Sequence, residues 1–184
     1  LDPAEYGIFA VATAISTVMG ILVIFGLKGA AFKQSFEFEE GKEKGTFYGS
    51  LWLFLVLAGA VFTILVDQGW AKLFPNVFSN VPFDPYIRLA LWGAYLNGFG
   101  VILYEVYRAQ AKAKQYASFS FANALTLVTT AVLLVGYLQL GLLGALLAPV
   151  ITGLIWAVIY TIALAPHMNL RIDWKKLQQA LSYS

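Results

Sequence analysis

Charged positions in this chain are spaced so that long uncharged runs lie between them. Residues 6–27 form one run of 22 without a formal charge, and residues 45–66 form another of 22. A helix of that length is about 33 Å long at about 1.5 Å per residue, enough to cross a hydrocarbon core of about 30 Å with some tilt. Three more apolar stretches follow, so the pattern predicts five spans, at 6–27, 46–66, 87–107, 116–138 and 142–165. Their ends carry helix punctuation: Asp2-Pro3 suits the entry to the first, Gly26 and Gly29 flank its exit, and Pro166 closes the fifth. The expected fold class is all-α, a polytopic transmembrane helical bundle over residues 1–165. Residues 166–184 follow the last span.

Composition agrees with that class. The chain is 60% apolar and 12% charged, with a mean hydropathy of +0.73, whereas soluble domains are about 45 to 50% apolar. Cysteine is absent, which excludes disulfides and thiolate metal sites without fixing the compartment. No signal peptide is visible at Leu1-Asp2-Pro3, and the chain reads as a fragment of a longer protein.

The distribution of charge orients the bundle. Lys28, Lys33, Lys42 and Lys44 follow the first span; Arg108, Lys112 and Lys114 follow the third; Arg171, Lys175 and Lys176 follow the fifth. Of the twelve basic residues, only Lys72 and Arg88 fall in the alternate segments. The positive-inside rule then places residue 1 outside and residue 184 in the cytoplasm of an inner (plasma) membrane protein. The acidic group Glu37, Glu39, Glu40 and Glu43 does not overturn this, because acidic residues count little for orientation. Trp70, Phe74, Phe78, Phe83 and Tyr86 suit an aromatic belt at the outer interface.

Polar residues inside the spans are the main functional signal, since each needs a partner or water. At about 100° per residue, Thr13, Ser16, Thr17 and Gly20 share one face of the first span. Gly93, Asn97, Gly100, Tyr104, Glu105 and Arg108 share a face of the third, and Tyr116, Ser120, Asn123, Thr126, Thr130 and Tyr137 a face of the fourth. On the fifth, Ala145, Pro149, Thr152, Gly153, Trp156 and Tyr160 align. Such stripes either pack helices closely or line a wet cavity. In the second span Ser50, Gly59 and Thr63 scatter, which marks it as the expected lipid-facing helix. Pro149 predicts a kink or hinge, because proline removes a helix donor.

Glu105 and Arg108 form the one acid-base pair at a span. Two readings stand: an orientation anchor, or a cationic contact for an anionic headgroup at the inner mouth. His167, next to Pro166, reads as interfacial. No metal-ligand spacing, phosphate loop or nucleophile elbow occurs, so neither enzyme activity, a metal, a cofactor nor a nucleic-acid partner is expected.

Several motifs resemble a known family. Leu1-Asp2-Pro3-Ala4-Glu5-Tyr6-Gly7-Ile8-Phe9 is similar to a stretch after the first helix of polysaccharide biosynthesis membrane proteins. These are the Wzx-type lipid-linked oligosaccharide flippases of the multidrug, oligosaccharidyl-lipid and polysaccharide exporter superfamily. Gly26-Leu27 with Ala30 and Ala31, Tyr107-Arg108-Ala109-Gln110 before Tyr116-Ala117, and Gly141-Leu142 before Gly144-Ala145 and Ala148 resemble further family positions. Residues 174–183 resemble the amphipathic lead-in to a seventh helix, so the resemblance implies that residues 166–184 are a cytoplasmic amphipathic linker to a missing second lobe. The resemblance implies that the five spans are helices two to six of a two-lobed transporter of twelve to fourteen helices. It implies flipping of an undecaprenyl-diphosphate-linked oligosaccharide across the cytoplasmic membrane by alternating access.

On that reading Thr13, Ser16, Thr17, Gly20 and Asn97 face the substrate cavity. Lys28, Lys33, Glu105 and Arg108 lie at the inner mouth, and Pro149 is the hinge. Partners would be the lipid-linked oligosaccharide, membrane lipids, and a polysaccharide polymerase or glycosyltransferases. The alternatives are a Na⁺- or H⁺-coupled drug or metabolite exporter, or a non-transporting membrane scaffold.

Overall fold

The computed structural model describes residues 2–24, 26–34, 42–73 and 81–169, and every regular element among them is helical. In chain order these are α1 (Pro3–Ile24), α2 (Leu27–Gln34), α3 (Lys42–Leu73), α4 (Arg88–Asn97), α5 (Gly100–Ala109), α6 (Ala113–Ala131) and α7 (Gly141–Leu164). Wider turns continue α4 backwards and α6 forwards. Five runs are thus long and apolar enough to cross a membrane: Pro3–Ile24, Glu43–Trp70, Phe83–Ala109, Ala113–Tyr137 and Gly141–His167. The protein is a membrane-spanning helical bundle. Each span lies within a few residues of its expected position; the proposed linker falls, from residue 170 onwards, outside the described residues.

Helix starts and stops follow local chemistry. The Glu5 amide donates to Asp2 Oδ1 at 2.7 Å and the Asp2 amide donates to Glu5 Oε2 at 3.1 Å. That reciprocal box, with Pro3 at the first helical position, satisfies donors that the first turn leaves open. One boundary departs from expectation. The first span was predicted to reach Leu27, but α1 stops at Ile24, Gly26 takes a left-handed conformation (φ 69°), and Leu27 opens the separate helix α2. Glycine adopts that conformation without the Cβ clash that would otherwise oppose it.

The spans alternate in direction. At one end the Asn169 amide donates to Gly45 O at 2.8 Å, and Arg108 lies over the Phe32 ring with 4.9 Å to its centroid. At the other, Arg88 Nε donates to Asp67 Oδ1 at 2.9 Å, Arg88 Nη1 donates to Asp84 Oδ2 at 2.8 Å, and Trp70 stacks on Phe83. The described basic side chains after the first and third spans thus share one end of the bundle, where the fifth span also ends; Arg171, Lys175 and Lys176 lie outside the described residues.

The third span, α4 with α5, is the centre, packed by α1, α3 and α7 on its first half and by α2, α6 and α7 on its second. Its seam with α7 depends on small residues. A Cβ on Gly153 would meet Leu96 Cβ at 2.8 Å, and one on Gly100 would meet the Tyr160 ring at 2.9 Å. The second span is not the lipid-facing helix that its scattered polar positions suggested. Ser50 and Thr63 are buried, each hydroxyl donating to the carbonyl four residues back, and Gly59 abuts the Tyr95 ring. Because back-bonded hydroxyls tolerate apolar surroundings, their scatter does not report lipid exposure. The fourth span is the exposed one, with no buried residue along its length.

Candidate functional site

Among the described residues, openings lie towards both ends of the bundle. The first is a cleft of about 380 Å³ between α1, α4, α6 and α7, lined by Thr13, Ser16, Gly93, Leu127, Ala145 and Pro149 among others. Thr13 and Ser16 therefore reach a common space, whose walls are mainly apolar. Thr13 donates its hydroxyl proton to the Phe9 carbonyl, and Thr17 donates to Thr13 O at 2.9 Å. Thr17 is exposed on the outer side of α1, and a Cβ on Gly20 would meet nothing within 4 Å. Asn97 serves the seam instead: Nδ2 donates to Gly93 O at 2.7 Å and to Pro149 O at 3.2 Å. The five expected cavity residues thus occupy three different surroundings.

Pro149 does not interrupt α7, which runs unbroken from Gly141 to Leu164. Lacking an N–H, it leaves the Ala145 carbonyl without its usual helical donor, and both residues border the cleft. Asn97 anchors the Pro149 carbonyl across the seam, which ties α7 to the third span at this point.

The second opening, about 520 Å³, lies at the basic end and is bordered by Phe32, Tyr107, Arg108, Ala111, Ala113 and Tyr116. Here the Glu105–Arg108 pair is assembled. Glu105 is 2% exposed and Arg108 is 47% exposed; Nη1 of Arg108 donates to both carboxylate oxygens of Glu105 at 2.9 Å. Residues three apart on a helix face one another, which makes the pair a property of local sequence. Nε and Nη2 have no hydrogen-bond partner among the described residues, and the guanidinium plane rests on Phe32. One edge of the cation is therefore held, and the other is available to a ligand in the opening. Lys28 is exposed on α2, one turn before Phe32; Lys33 is on the same helix, with its side chain outside the described part.

The polar stripes of the third, fourth and fifth spans are separate in the sequence. In the fold they meet. Tyr104 and Tyr160 share a hydroxyl-hydroxyl hydrogen bond of 2.8 Å, Asn123 lies beside the Tyr160 side chain, and Tyr104 packs on Tyr116 with ring centroids 5.0 Å apart. Trp156 lies 5.2 Å from Tyr160 and 6.0 Å from Phe119, centroid to centroid. The signal available in sequence was angular alignment on each helix; what it lacked was which helices are neighbours.

The comparison with known families now bears on this site. The sequence profile of a polysaccharide biosynthesis protein family matches residues 1–184, the whole chain. The chain belongs to that family. No curated protein and no solved structure matches it. Membership carries a role in polysaccharide synthesis or export, and the five spans place that role in a membrane.

Proposed function

We propose that the protein is a carrier rather than an enzyme, and that it flips an undecaprenyl-diphosphate-linked oligosaccharide from the inner to the outer leaflet of the cytoplasmic membrane. The observation that carries this reading is Arg108. A headgroup loaded from the cytoplasm needs a cation with free donors at the inner end of the bundle, and a diphosphate suits the planar fork of a guanidinium. Arg108 has that disposition: held by Glu105 on one edge, backed by Phe32, and facing an opening large enough for a polar group. Family membership supports the substrate class. The basic end is then cytoplasmic, with residue 1 external and residue 184 internal. Polymerase or glycosyltransferase partners would act on either side of this step.

The test is flipping of the lipid-linked glycan in vesicles reconstituted with Arg108→Lys. Lysine keeps the charge but loses the two-pronged contact, so the expected result is slower flipping at an unchanged amount of folded protein. Parental rates with lysine would overturn the assignment. Orientation is tested separately with single cysteines at Gln139 and Lys114 and an impermeant maleimide on intact cells. Labelling is expected at 139 alone, and the reverse would invert the topology.

A further inference from the structure

The hydroxyls and indoles of the fifth span contain an anomaly. Thr13, Thr17, Ser50, Thr63, Thr126 and Thr161 each donate to the carbonyl four residues back. This is how a helix ordinarily satisfies a hydroxyl in an apolar setting. Thr152 does not. It is 1% exposed and its Oγ1 has no hydrogen-bond partner among the described residues. One turn on, Trp156 is 6% exposed with Nε1 equally unpartnered. A buried polar atom without a partner costs free energy, and more so in a membrane interior where no bulk water competes. Two of them on consecutive turns of one helix face imply that something else meets them.

Their surroundings define what that is. Tyr160, a further turn along, is bonded to Tyr104 and has Asn123 beside it, so the stripe presents a threonine hydroxyl, an indole N–H, two phenols and an amide beside aromatic faces. None of these groups carries charge. Uncharged donors and acceptors alternating with aromatic rings match a ligand that is itself amphipathic: a sugar, with hydroxyls at its edge and C–H bonds on its face. Access has a physical route. Tyr104 is one turn, about 6 Å, from Arg108 along α5, and its ring packs on Tyr116, which borders the Arg108 opening. The fourth span meets the stripe through Phe119, whose ring centroid lies 6.0 Å from that of Trp156 and 6.4 Å from that of Tyr160, and its residues are all at least partly exposed.

We infer that Tyr104, Tyr116, Asn123, Thr152, Trp156 and Tyr160 form a subsite for the glycan, entered past the Tyr104–Tyr116 ring pair when the diphosphate is held at Arg108. This rests on the flippase reading and adds the sugar contact to it.

Binding to the purified full-length protein separates the two. The probes are the lipid-linked glycan extracted from the cells that make the protein, and undecaprenyl diphosphate without sugar. The parent is expected to bind the glycan-bearing lipid about tenfold tighter, and this addition alone is expected to shift tryptophan emission. Thr152→Val and Trp156→Phe keep shape and lose one hydrogen-bonding group each, so each should reduce the preference about three- to tenfold and leave the sugar-free lipid unaffected. Thr152→Ser should restore it, and Arg108→Gln should weaken both lipids alike and keep the ratio. A parent that binds both lipids equally, or valine and phenylalanine variants that keep the preference, overturns the glycan subsite while leaving the diphosphate site standing. A parent that binds neither lipid overturns the flippase reading and this inference with it. Should Thr152→Val prove unstable, Tyr160→Phe, which keeps the ring, provides the same reading.

Discussion

The third and fourth spans differ in a way that inverts the rule for soluble proteins. The third is the least apolar of the five, yet 67% of its most apolar stretch is buried; the fourth is more apolar, and 0% of its stretch is buried. In water, apolar residues move inward because water expels them. In a bilayer the lipid tails are as apolar as leucine, so helices associate through close packing and polar contacts. The span carrying Asn97, Tyr104, Glu105 and Arg108 therefore becomes the hub. The fourth span carries polar residues too, but it engages the bundle along one side, through Tyr116, Phe119 and the cleft residues Leu127 and Ala131.

The largest expected effect tests the hub at its one buried charge. Arg108→Gln leaves Glu105, 2% exposed, without its counter-ion. Breaking a buried pair by removing one partner costs about 3 to 5 kcal/mol. The 47% exposure of Arg108 lets water reach the pair, so we expect about 3 kcal/mol, the low end of that range. Denaturant titration of the purified protein measures it. A loss under about 1 kcal/mol, the scale of an exposed pair, would show that Glu105 is hydrated and that the third span is less dry than its packing indicates.

A smaller effect is expected where the two spans meet α7. Gly153→Leu places carbon within 2.8 Å of Leu96 Cβ, and forcing extra volume into a packed seam costs about 1 to 3 kcal/mol. The matching change on the fourth span, Gly136→Ala, meets only Val132 Cγ1 at 3.9 Å and should stabilise by up to about 1 kcal/mol through helix propensity. Equal losses at both positions would mean that the fourth span is as tightly packed as the third.

The same contrast explains how far the sequence could be read. The five spans and their alternation were legible, because span length and loop charge are properties of each segment alone. The Glu105–Arg108 pair was legible for the same reason: i,i+3 neighbours meet on any helix. Asn97 was not, since its partner Pro149 is 52 residues away on another span, and only the fold turns a cavity residue into a seam residue. Nor was the exchange of roles between second and fourth spans, because a hydroxyl that bonds its own backbone looks the same in sequence whether it faces lipid or protein. Thr152 belongs to that class too, distinguished from Thr161 only by a side-chain orientation that no spacing records.

The smallest effect concerns the outward face of the fourth span. Thr129 is exposed on a helix with no buried residue, so in a bilayer its side chain meets lipid. On the insertion scale leucine at a helix centre contributes about −0.3 to −0.6 kcal/mol. Thr129→Leu should accordingly raise stability in lipid nanodiscs by about 0.5 kcal/mol, seen as a small increase in unfolding midpoint. The opposite sign has a definite meaning. A loss of stability would show that this face packs against protein, and the fourth span would then be a buried helix whose cover lies beyond the bundle. The free movement that the glycan subsite requires of it would be lost, whereas the gain expected here leaves that helix bounded by lipid and able to swing.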